Sequence, residues 1–148
     1  MSRSPSGAIV VDANIILSAV RGRRTSYYIE RVSGCRLLCT TDHAHEEVLR
    51  VLDKIDTRPE SRAAVELAFK VLPAIAVERY GASLDRAAAS LSRAPASRTG
   101  STADAHILAL AWTLDADIWS HDRDFAGTGW PSWSSANLID ALAQHVAG

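Results

Sequence analysis

The sequence predicts an α/β protein with a parallel sheet of four to five strands and helices on both of its faces. Three observations carry this prediction. Short β-branched or apolar runs alternate with longer segments of helical periodicity. Gly22, Gly34 and Pro59 punctuate the boundaries between them. The chain has 148 residues, 47% of them hydrophobic, enough for one packed domain and too apolar for disorder.

Taken in order, Ile9-Val10-Val11 is a β-branched run that ends in Asp12 and reads as a buried strand. Ala13 to Val20 is expected to be helical and to stop at Arg21-Gly22, and Ser26 to Val32 to form a second short helix stopped by Gly34. Arg36 to Thr40 reads as the second strand. Asp42 to Ile55 is a helix whose Ala44, Val48, Val51, Leu52 and Ile55 share one stripe. Pro59 suits the first position of a helix running to about Leu72. Ala74 to Glu78 is expected as a third strand, Ala82 to Arg93 as an Ala-rich helix, and 94–100 as a Pro/Ser/Gly loop. Thr102 to Leu114 is the next helix and Asp117 to Ser120 the fourth strand. A Gly/Trp/Pro stretch leads to a weak fifth strand at Trp133 to Ser135, and Ala136 to Val146 closes the chain as a helix.

Strands alternating with helices imply parallel pairing through right-handed crossovers. In such sheets the functional crevice lies beyond the carboxyl ends of the strands, where the strand order reverses. One domain over 1–148 is expected, with a frayed start at 1–7. No apolar run reaches the roughly 20 residues of a membrane helix, and the N-terminal segment lacks a signal-type apolar region, so a soluble cytoplasmic protein is expected. The net charge of −1 neither requires nor excludes a nucleic-acid partner. Cys35 and Cys39, on a strand, would stand about 13 Å apart, too far for a disulfide, and are read as reduced, partly buried thiols.

Acidic residues stand where strands end or helices begin. Asp12 closes the first strand, Glu47 lies in the helix after the second, Asp104 is in the first turn of a long helix, and Asp122 and Asp124 follow the fourth strand. Each also has an ordinary explanation. Asp12 suits an N-cap, Ser101-x-x-Asp104 resembles a capping box, Asp122 and Asp124 suit a turn, and Glu47 suits a solvated helix face. As a set they converge on one edge of the sheet. Gathered carboxylates repel one another in a low-dielectric crevice unless a cation is shared, and Mg²⁺ or Mn²⁺ prefers such oxygen ligands. At about 100° per residue, Glu47 falls roughly 80° from the centre of the apolar stripe, whereas Glu46 points away from it. Glu47 is therefore the acid expected to face a crevice.

Four segments carry a family resemblance: Ile9 to Asn14, His45 to Leu52, Ala103 to Ala111, and Ile118 to Phe125. In this order they resemble the PIN-domain ribonucleases, including the VapC-type toxins of prokaryotic toxin–antitoxin pairs, over essentially the whole chain. The resemblance implies a three-layer α/β/α sandwich and a metal-dependent endoribonuclease hydrolysing RNA phosphodiester bonds with Mg²⁺ or Mn²⁺. It implies Asp12, Glu47, Asp104 and Asp122 as the catalytic set, with Asp12, Asp104 and Asp122 on the metal. Asn14 would orient Asp12, the Ser120 hydroxyl would steady the fourth carboxylate, and Asp124 would add an acid found in some members. A cognate antitoxin and a homodimer are further implied partners. The alternative is a non-catalytic or degenerate PIN-like module acting in RNA binding or protein assembly.

Arg21, Arg23 and Arg24, with Arg98 and Arg123, are candidates for phosphate contacts, the other reading being solvated turns. Tyr27, Tyr28, Trp130 and Trp133 either stack on bases or fill a core or interface. His43, His45, His106 and His121 lie close to the acidic segments and either bind metal or substrate or serve as supporting or surface residues. No GxGxxG follows the first strand, and no GxxxxGK[ST] or GxSxG is present, which argues against dinucleotide binding, P-loop NTP hydrolysis and a serine-hydrolase elbow. Asn14 stands where an aspartyl-nucleophile phosphatase would use Asp.

Overall fold

The computed structural model describes residues 3–94, 102–121, 125 and 127–146. Five parallel strands form one sheet in the order β3-β2-β1-β4-β5. They are β1 (Ala8–Val11), β2 (Leu37–Thr41), β3 (Ala74–Ile75), β4 (Asp117–Trp119) and β5 (Ser132–Trp133). Ile9, Val10 and Val11 are all fully buried. An alternating pattern would leave one face wet, but a central strand covered on both faces needs an unbroken apolar run. β1 pairs with β2 through Val10↔Cys39 and with β4 through Val10↔Ile118. The chain first adds strands on one side of β1 and then crosses to the other, so the order reverses between β1 and β4.

The helices are α1 (Ala13–Arg21), α2 (Arg23–Ser33), α3 (Asp42–Ile55), α4 (Pro59–Val71), α5 (Val77–Tyr80), α6 (Leu84–Arg93), α7 (Ala105–Leu114) and α8 (Ser135–Val146), with short 3₁₀ turns at Gly81–Ser83 and Thr102–Asp104. α1 packs with α2, α3 and α4, and α2 also meets α8; α7 lies against β1, β2 and β4 and carries α5 and α6. The result is the expected α/β/α sandwich. Every residue of α7 from Ala105 to Ala111 is buried, so this helix is apolar nearly all round and forms the centre of its layer. It ends on Asp115 at φ 52°, a left-handed cap that a short polar side chain tolerates. Among the described residues, no helix is long and apolar enough to cross a membrane.

Three local expectations are corrected. The third strand stops at Ile75, because the Asp42 carboxylate accepts the Val77 N–H at 3.0 Å and a hydrogen bond from the Tyr80 hydroxyl, which turns 77–80 into the helical turn α5. Cys35 is exposed rather than partly buried, while Cys39 is buried. The frayed start does not extend to residues 3–7. Asp117, the first residue of β4, accepts hydrogen bonds from Arg3 at 2.5 Å, the Ser6 N–H at 3.1 Å and the Trp133 indole N–H at 2.7 Å, and Leu37 N–H donates to the Gly7 carbonyl at 2.9 Å.

Asp117→Ala would leave the Ser6 and Trp133 donors without their acceptor, which costs about 2–4 kcal/mol. Arg3→Ala removes a half-exposed partner and should cost within about 1 kcal/mol. Urea unfolding of the two variants beside wild type checks the ranking.

Candidate active site

β1 becomes α1 at Asp12. This residue is extended (φ −75°, ψ 155°), and its N–H donates to the Trp119 carbonyl at 3.0 Å, continuing the β1–β4 pairing. Its side chain is 4% exposed. Oδ1 accepts the Ala13 N–H at 2.7 Å and Oδ2 accepts the Ser120 hydroxyl at 3.1 Å. Asn14 Nδ2 donates in turn to Ser120 Oγ at 3.4 Å, and Asn14 Oδ1 accepts the His121 N–H at 3.4 Å. The N-cap explanation of Asp12 is thus correct and also incomplete. One oxygen caps the helix, and the other is held by a hydroxyl from the neighbouring strand's end. Asn14 and Ser120 lie where the sequence reading places them, at the carboxyl ends of β1 and β4, beside the point where the strand order reverses. Ser120 donates to Asp12, and the acid after β4 that it was expected to steady, Asp122, lies outside the described residues.

α3 starts at the carboxyl end of β2, where the Thr41 hydroxyl accepts the Ala44 N–H at 2.9 Å as its N-cap. Glu47 is half-buried and Glu46 exposed, as the helix phase predicts. Half-buried Asp104 ends the 3₁₀ turn that leads into α7. The start of α7 is located by His106, whose Nδ1 lies 2.7 Å from Thr41 Oγ1. Asp12, the Glu47 helix and the Asp104 turn therefore arise on the same edge of the sheet. Asp122, Asp124, Arg123 and Arg98 lie outside the described residues.

The model of the PIN domain family matches residues 10–143 of the chain. The chain belongs to the PIN-domain family. Its fold is shared with the crystal structure of VapBC2 from Rickettsia felis bound to a DNA fragment from their promoter, at a TM-score of 0.65 and 11% identity, covering 86% of this chain and 98% of that one. No curated protein sequence matches the chain.

In this PIN domain the donors at the edge are carboxylate oxygens with hydroxyl and amide support, a set suited to a hard divalent cation. Cys39 is not one of these donors: its thiol is buried within β2, 3.9 Å from the Ile9 carbonyl oxygen. Among the described residues, no three His, Cys, Asp or Glu side chains form a group that could hold an ion.

Other candidates take different places. Trp133 gives its N–H to Asp117 and stacks under Arg3, 5.1 Å from its ring, and Trp130 donates to the Ala116 carbonyl at 2.7 Å. The core reading of these two indoles is thereby favoured. Tyr27 is exposed beside half-buried Tyr28. Arg21, Arg23 and Arg24 are exposed at the α1–α2 junction, and Arg21 ends α1 about 13 Å along the helix from Asp12. A phosphate held there would be separated from the acidic edge by the length of α1. His45 packs on Phe69 with 4.0 Å between ring centroids, and His43 on His106 with 4.3 Å. Sequence reasoning did not single out Thr41; its signal was a hydroxyl residue immediately before a confident helix, the N-cap pattern.

Burial, and secondarily the neighbouring His43, push the His106 imidazole down to about 4. The folded state thus holds this ring neutral where the unfolded chain, near 6.5, takes up a proton. Its stabilising contribution is complete above pH 6.5 and is lost as pH falls towards 4, by about 3 kcal/mol in all. Urea midpoints across that interval should fall more steeply for wild type than for His106→Asn.

Proposed function

We propose that this PIN domain is a metal-dependent endoribonuclease and the toxin of a toxin–antitoxin pair, acting in the cytoplasm. The observation that carries the catalytic reading is the buried Asp12 carboxylate, oriented by Ala13 N–H and Ser120 Oγ at the carboxyl ends of β1 and β4. PIN domains are generally nucleases and usually need divalent metals.

Asp12, Asp104 and Asp122 would hold Mg²⁺ or Mn²⁺. Such an ion supplies an acidified water and neutralises charge on the phosphodiester. The chain's own contribution is preorganisation. Ser120 and Ala13 fix the Asp12 oxygens in the direction of the crevice, Asn14 steadies Ser120, and Glu47 presents a further carboxylate at the core boundary for orienting water. Asp124 would extend the acidic edge. Hydrolysis by water, rather than by the RNA 2′-hydroxyl, leaves 5′-phosphate and 3′-hydroxyl ends. Arg21, Arg23, Arg24, Arg98 and Arg123 are proposed phosphate contacts along the RNA.

Total RNA incubated with purified protein and Mg²⁺ or Mn²⁺ is expected to be cleaved, with EDTA abolishing cleavage. Asp12→Asn and Asp104→Asn keep the side-chain volume and lose the charge, and should lower kcat by about 100-fold or more, of the order seen when one electrostatic group is removed from an active site. Cleavage indifferent to EDTA and to both substitutions would overturn the reading, as would products ending in 2′,3′-cyclic phosphate.

The antitoxin part of the proposal is supported by the VapBC2 complex that shares the fold. It is also supported by an open groove lined by Ala19, Ile29, Ala64, Leu67, Ala68 and Val71, where Leu67 is 66% exposed. An apolar helix face of the antitoxin would cover these side chains. Leu67→Asp should abolish co-purification with the protein encoded by the adjacent reading frame, while RNA cleavage by the free chain stays within about twofold. If the variant instead turns a homodimer into a monomer in size-exclusion chromatography, this face joins two copies of the chain.

A further inference from the structure

The stretch from Ala105 to Ala111 is buried without interruption, and His106 is its one polar member. Burying an imidazole costs free energy that an apolar side chain would not incur. The ring's surroundings show what it does there. Its Nδ1 shares a 2.7 Å hydrogen bond with Thr41 Oγ1, across 65 residues of sequence, and its face is covered by His43 at 4.3 Å between centroids. Apolar packing would hold α7 against the sheet equally well, but it is non-directional and permits sliding along the helix axis. A hydrogen bond does not.

The two ends of this bond are placed at significant points. His106 is two residues beyond Asp104, in the first turn of α7. Thr41 is the last residue of β2 and the N-cap of α3, the helix that carries Glu47. The Thr41 hydroxyl already holds the Ala44 N–H, so the same oxygen joins the start of α3 to the start of α7. We infer that His106 is a positioning residue: through Thr41 it fixes the turn bearing Asp104 in register with the helix bearing Glu47. The inference rests on the proposal that these acids form the metal site, and it adds how their separation is set.

The test compares His106→Leu, which keeps an apolar filling and deletes the bond, with His106→Asn, whose amide can replace either sense of it. Two readouts are used, hydrogen exchange of the amides in the first turn of α7 and Mn²⁺ affinity by calorimetry. His106→Leu is expected to remain folded, to exchange about tenfold faster in that turn than wild type, and to bind Mn²⁺ about tenfold more weakly, the scale on which loss of a partner behind a metal ligand is felt. His106→Asn should recover most of both losses, and KM for RNA should change little beside kcat. If His106→Leu fails to fold, Thr41→Ala breaks the bond from the other side. Its effect on Mn²⁺ affinity should be absent when His106 is already Phe, which fills the space without the bond, and present when His106 is intact. Wild-type exchange and wild-type Mn²⁺ affinity in His106→Leu would overturn the inference, as would an Asn variant no better than Leu. Should wild type bind no Mn²⁺ and cleave no RNA, the nuclease reading fails, and the exchange measurement still decides whether the bond fixes the turn.

Discussion

The pairing of β1 with β4 is the constraint on which the rest of the candidate site depends. It places Asp12 and Ser120, 108 residues apart, at adjacent strand ends within 3.1 Å hydrogen-bonding distance. It also makes β1 the central strand, which explains why Ile9, Val10 and Val11 must all be apolar. A strand buried on both faces has one place to present a charged side chain, namely its end. Asp12 occupies that end, beside the point where the strand order reverses, which is where open α/β sheets bind their ligands.

The same strand pair carries a second acid at its other end, and the contrast separates structure from chemistry. Asp117 begins β4 and accepts from Arg3, Ser6 and Trp133, so its oxygens bind the N-terminal segment and β5 to the sheet. Asp12, at the opposite edge, is oriented by the Ala13 N–H and the Ser120 hydroxyl, which belong to the strand ends themselves. Two Asp residues on neighbouring strands thus serve as a clamp at one edge and as the core of a proposed ion site at the other. Bonds such as Thr41 with His106 then set how the second layer of acids approaches.

Much of this was legible in the sequence where a local rule is strong. The stripe of α3 gives its bounds as Asp42–Ile55, and the helix phase separates half-buried Glu47 from exposed Glu46. Pro59 opens α4 as expected. The reading failed where a distant partner overrides local preference. Ala74 to Glu78 has strand-like composition, but the Asp42 carboxylate, more than thirty residues earlier, captures Val77 N–H and the Tyr80 hydroxyl and turns the chain. For Trp133 the sequence left base stacking open beside a core or interface role, and the Asp117 and Arg3 contacts favour the latter.

By itself the sequence determined the alternation of strands and helices, hence the parallel sheet, and the spacing that puts acids at element ends, because periodicity and capping act within a few residues. Only the tertiary structure decided which strand lies next to which, and therefore that Ser120 serves Asp12, that Asp117 is a clamp, and that His106 faces Thr41. Those pairings are set by the packing of whole layers, and contacts between residues 16 to 114 positions apart leave no periodic trace in either partner's neighbourhood.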